Sequence, residues 1–122
     1  MKKQYLYLAA SPSFSGPLKD TIKVGISNDP WKRIFALRAV DHLFDLHAVY
    51  KFKNIEYPII LECDVVANHY KQPLMHGKFD LEKGEYVTYR FGREYFSGEP
   101  DKFCSYIEST CAENKEEYER VL

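Results

Sequence analysis

The stretch from Tyr5 to Arg33 limits most what this chain can become, because it asks for two strands and a helix in close succession. Tyr5 to Ala9 and Ile22 to Ser27 are rich in aromatic and β-branched residues, which suit a pleated, half-buried surface, and Pro, Ser and Gly punctuate the chain between them. Asp29-Pro30 then marks a helix start. An Asp side chain can accept from the free N–H groups of a first turn, and Pro gives up no needed donor there. Two adjacent strands with a helix leaving the second bring Tyr7, Lys23 and Arg33 toward one another. A phenol, an ammonium and a guanidinium on one surface form a set suited to a phosphate.

The rest of the chain is read around that start. Ala10 to Asp20 is a polar connection too long for a tight hairpin, with Phe14 as an anchor. The first helix is expected from Pro30 to about Val40, with Trp31, Ile34, Phe35 and Leu37 on its apolar side and Trp31 as core or rim packing. Arg33 shares a side with Leu37, at the edge of the buried face. Asp45 to Phe52 alternates like a third strand, and His42 and His47 beside it read as surface histidines. Pro58 opens a second helix to about Lys71, with Ile59, Ile60, Cys63, Val66, Ala67 and Tyr70 as its stripe. Glu62 borders that stripe and His69 follows along the same line. A carboxylate at such a boundary needs a cation, either a metal or an arginine such as Arg33. A Glu62, His69 and His76 cluster for a transition metal is conceivable.

Tyr86 to Phe91 alternates like a strand, and a small hairpin around Glu82-Lys83-Gly84-Glu85 fits the glycine there. Glu94-Tyr95-Phe96 reads as a short strand joining the first sheet, which makes Glu94 a second carboxylate candidate. From Pro100 a helix is expected to the end of the chain, with Phe103, Ile107, Cys111, Tyr118, Val121 and Leu122 roughly on one side and a solvated, charged end from Glu113 to Arg120. Cys104 and Cys111 on it read as core or boundary thiols.

A chain of 122 residues, 45% of them hydrophobic, suits a single domain over residues 1–122 with one core. Its apolar runs are far too short to span a bilayer, so no membrane association is expected. Three cysteines without a CxxC pair argue against a disulfide framework and for a reducing, cytoplasmic compartment. Residues 1–53 hold nine Lys and Arg against four Asp and Glu, whereas residues 54–122 hold eight against fourteen. The formal net charge of −1 therefore hides a basic half that carries the phosphate-facing set. The ten Tyr against eight Phe point to many rings at the core boundary, where a hydroxyl can reach water or a partner.

In order, these residues resemble the motifs of the GIY-YIG endonuclease superfamily. Tyr5-Leu6-Tyr7 stands where the first motif would be and Lys23-Val24-Gly25 where the second would be. Arg33 falls eight residues past the motif glycine, Glu62 looks like the metal-binding glutamate, and Arg93-Glu94-Tyr95-Phe96 is similar to a strand of the compact phage and bacterial branch. The resemblance covers roughly residues 5–97. It implies an α/β fold of the α+β kind, a small, mainly antiparallel sheet of three or more strands with about three helices. It also implies a metal-dependent hydrolase of nucleic-acid phosphodiesters, an enzyme using Mg²⁺ or Mn²⁺ on DNA in preference to RNA. Tyr7, Lys23, Arg33 and Glu62 would be catalytic, Glu62 would bind the metal, and Lys32, Arg38 and His69 would hold the substrate. Lys23 departs from the tyrosine of the wider family. A lysine serves as a base only where its pKa is driven down, and is otherwise a fixed positive charge. The alternative is a catalytically silent module of this shape that binds nucleic acid or a protein, such as a small phage or accessory factor acting in a host cytoplasm. A protein partner or homodimer is compatible with either reading. A hydrolase of a free nucleotide is a third, and would need an enclosed base pocket.

Overall fold

The computed structural model describes residues 4–11, 21–39, 44–68, 75–90 and 95–122. The elements run β1 (Tyr5–Ser11), β2 (Thr21–Ser27), α1 (Pro30–Leu37), β3 (Asp45–Phe52), α2 (Tyr57–Asn68), β4 (Met75–Asp80), β5 (Glu85–Arg90), β6 (Tyr95–Ser97), α3 (Pro100–Glu113) and β7 (Tyr118–Arg120). Five strands form one sheet in the order β6-β2-β1-β3-β7, with every neighbouring pair antiparallel. This is an α+β fold, with three helices among the described residues. β4 and β5 pair as a separate two-stranded sheet, joined by a turn in which Gly84 takes φ +66. A left-handed backbone there favours a residue without a Cβ, which suits the hairpin to that glycine.

Alternation along the strands puts a core on each face of the sheet. Leu6, Leu8, Ile22, Val24, Ala48, Tyr50 and Phe52 pack against Leu61 and Val65 of α2 and Phe103, Ile107 and Cys111 of α3. Tyr7, Ala9 and Val49 on the other face pack against Ile34 and Leu37 of α1 and against Phe44. The helices therefore lie in two layers, α1 on one side and α2 with α3 on the other. Among the described residues no helix is long and apolar enough to cross a membrane.

Three expectations are corrected. First, α1 buries Pro30, Ile34 and Leu37, while Phe35 is 68% exposed and Trp31 stands at the rim, edge-on to Tyr5 with ring centroids 5.8 Å apart. Second, α2 buries Tyr57, Pro58, Leu61 and Val65, and leaves Ile59, Ile60, Cys63 and Ala67 exposed. Its first half is apolar almost all round, so periodicity alone cannot choose the face; Tyr57, Leu61 and Val65, four apart, are the stripe that meets the sheet.

Third, α3 stops at Glu113 instead of running to the end of the chain. The Glu116 N–H donates to the Cys111 carbonyl at 3.0 Å and the Lys115 N–H to Ala112 at 3.2 Å, while Lys115 sits at φ 54. This is a helix-ending double hydrogen bond of the kind usually carried by glycine, here built with a lysine. The released chain returns as β7 along β3. Tyr118 packs its ring against Tyr50 and Phe52, with centroids 5.6 and 6.1 Å apart.

Candidate nucleic-acid cleft

β6 pairs with only the first three residues of β2: Thr21 with Ser97, Ile22 with Phe96 and Lys23 with Tyr95. From Val24 to Ser27 no described strand covers that edge. The two helix layers meet around this margin. α1 leaves directly from the end of β2, its first turn fixed by Pro30 and by the Asp29 carboxylate, which accepts from the Lys32 N–H at 3.1 Å. That start puts Arg33 in the second turn, beside the strand end. On the other face, buried Leu61 and Val65 pin α2 against Leu8 and Val24, which brings half-buried Glu62 to the flank of the helix nearest the margin.

The result is a polar-walled cleft of about 400 Å³ lined by Tyr7, Lys23, Gly25, Ile26, Ser27, Arg33 and Glu62. The four residues expected to meet therefore do line one open space, although they come from β1, β2, α1 and α2. Tyr7 and Gly25 are register partners across the first two strands, and Lys23 lies one pair further along the same face, opposite Ala9. A Cβ at Gly25 would stand 2.5 Å from the Tyr7 hydroxyl oxygen, so the phenol occupies the volume that any side chain there would need. Lys23 is 3% exposed, with its ammonium 5.0 Å from the centroid of the Tyr95 ring. Arg33 is exposed.

Two cations facing one carboxylate leave the cleft with a positive balance, which favours an anion. Among the described residues that line it, Glu62 is the one carboxylate. A half-buried carboxylate at the wall of a wet cleft fits Mg²⁺, which keeps several waters and needs one or two protein oxygens. A second depression, about 260 Å³ beside β7, sets Lys51 and Lys53 against Glu117 and Glu119, with Lys53 and Glu117 paired at 3.2 Å, so its charges balance.

The other expected contacts are placed differently. Lys32 is exposed on α1 but does not line the cleft. Arg38 turns to the far end of the helix, where its Nε donates to the Phe44 carbonyl at 2.9 Å and a terminal nitrogen to Asp45 at 3.1 Å. Residues 12–20, with Phe14, together with His42, His69 and Glu94, lie outside the described residues, as does the side chain of His76. Sequence reading missed Ile26 and Ser27 as walls and Tyr95 as the cover of Lys23. The first two were signalled only by their place just after the second motif.

Comparison of the chain with protein-family models, with curated proteins and with solved structures finds no match in any of the three.

Proposed function

We propose that this protein is a metal-dependent hydrolase of nucleic-acid phosphodiesters of the GIY-YIG type. The observation that carries the proposal is the convergence of Tyr7, Lys23, Arg33 and Glu62, drawn from four separate elements, on one cleft. Phosphoryl transfer asks a protein chiefly for positioning and for neutralisation of the charge that develops on oxygen. Arg33 offers a planar fork to the non-bridging oxygens of the scissile phosphate. Lys23, held in place beneath Tyr95, sets a cation in the floor of the cleft. Tyr7 is fixed at its backbone and over Gly25, so its hydroxyl orients or deprotonates the attacking water. Glu62 would hold the divalent ion, which when bound would neutralise charge developing on the reacting phosphate. The cytoplasm is the proposed compartment, and DNA the proposed substrate ahead of RNA.

Incubation with plasmid DNA, branched DNA and RNA in Mg²⁺ or Mn²⁺ tests the assignment. Cleavage that disappears in Glu62→Ala and Arg33→Ala, with unchanged circular dichroism, supports it. A second reading, a silent module that docks a protein, draws on exposed Phe35, Ile59 and Ile60. Absence of cleavage on every substrate, joined to tight binding of a protein partner, selects that reading instead.

A further inference from the structure

On the face of the sheet away from α1, β3 carries an irregularity that turns one side chain around. Its pairing with β1 runs Leu8 to Ala48 and then Ala9 to Leu46, so His47 has no opposite residue on β1. Bulges of this sort redirect a side chain and recur beside functional sites. Leu46 and Val49 keep to the α1 side, packed in the cluster around Phe44. The His47 ring instead reaches α3, where its Nε2 lies 2.9 Å from Asp101 Oδ1.

Asp101 stands in the first turn of α3, and Cys104 is three residues later on the same flank. The ligand atoms of His47, Asp101 and Cys104 all lie within 4.8 Å of one another. Tetrahedral zinc, with bonds of about 2.0–2.3 Å, places its ligand atoms roughly 3.3–3.8 Å apart. No pair therefore exceeds that spacing by more than about 1 Å. Cys104 is 3% exposed, so its sulfur closes the inner side of the group while Asp101 faces solvent. A surface ion pair accounts for His47 and Asp101 alone; it gives no reason for a thiol at the third corner or for the bulge that delivers the imidazole.

The geometry points to a zinc site formed by the His47 imidazole, the Asp101 carboxylate and the Cys104 thiolate, tying β3 to the first turn of α3. One nitrogen, one oxygen and one sulfur donor select a borderline metal such as Zn²⁺ over Mg²⁺. Exposure on the Asp101 side leaves the fourth position to water. The site stands apart from the cleft, and it holds whether or not the chain cleaves nucleic acid.

Titration of the full chain with Zn²⁺, followed by calorimetry, and with Co²⁺, followed by absorbance, tests this site. The expected result is one metal per chain, a melting temperature raised by several degrees in saturating zinc, and a thiolate-to-cobalt charge-transfer band in the near ultraviolet. His47→Gln and Asp101→Asn each weaken zinc binding at least tenfold, and Cys104→Ser removes the band. Should Cys104→Ser fail to fold, the other two variants decide the question. Zinc binding unchanged in both of them, a band that survives Cys104→Ser, or no saturable binding at micromolar metal would overturn the site.

Discussion

The phenol end of Tyr7 lies over Gly25, with the ring carbon that bears its hydroxyl 2.6 Å from where a Cβ at Gly25 would be. Glycine at this position is thus required by a neighbour on the next strand, not by its own backbone angles. Gly25→Ala forces the ring aside and costs roughly 1–3 kcal/mol by overpacking. In a Tyr7→Leu background the same change costs less, because the clash has gone. Urea denaturation of the two single variants and the double variant measures that coupling, and strict additivity would contradict it.

Arg33 is exposed and makes no ion pair with a described residue, so stability and activity should separate there. Arg33→Ala is expected to leave unfolding free energy within about 0.5 kcal/mol of the parent, while cleavage falls on the order of 10²–10³-fold. Thermal melts beside single-turnover cleavage check both halves. A variant that melts early would recast Arg33 as a structural residue.

Alkali should loosen the fold. Burial pushes the Cys111 thiol up to about 11 from an ordinary value of 9.0, and burial raises Cys104 and Tyr57 as well. A group whose folded pKa lies above its unfolded one stabilises the protein fully below the unfolded value, and that contribution is lost as pH rises through the folded value. Melting temperature is therefore expected to hold to about pH 8.5 and to decline between about 9 and 11, with Cys111 accounting for up to ~3 kcal/mol. Cys111→Ala should lessen the slope over that window in melts followed by circular dichroism.

Lys115 holds φ 54 at the end of α3, a conformation that a Cβ disfavours. Lys115→Gly is expected to stabilise the protein by about 0.5–1 kcal/mol. A shift of the denaturation midpoint to higher urea with unchanged slope is the reading to look for. A shift the other way would mean that the lysine side chain contributes more than its backbone costs.

Local pattern carried much of the architecture. Asp45 to Phe52 alternates cleanly and ends at Asn54, and β3 has the same bounds; Asp29-Pro30 fixed the start of α1 for the capping reason expected of it. The end of α3 was hidden because its stop signal is a lysine in a glycine's place, and β7 was hidden with it. The phase of α2 was hidden because apolar residues surround its first half. At the cleft, residue types at familiar spacings were enough to bring Tyr7, Lys23, Arg33 and Glu62 together. The side from which Glu62 arrives depends on sheet order and on the face that α2 covers, which no local window contains. The bulge at His47 was equally out of reach, since it is a mismatch between two strands and belongs to neither alone.

The placing of α1 and α2 on opposite faces of the sheet has one more mechanical consequence. Arg33 hangs from a helix above the sheet and Glu62 from a helix below it, so the two stand as jaws on either side of the β2 edge, and the slab between them sets their gap. Val24, fully buried in the core cluster that α2 joins, serves as a shim: enlarging or trimming it would change that gap without touching either residue.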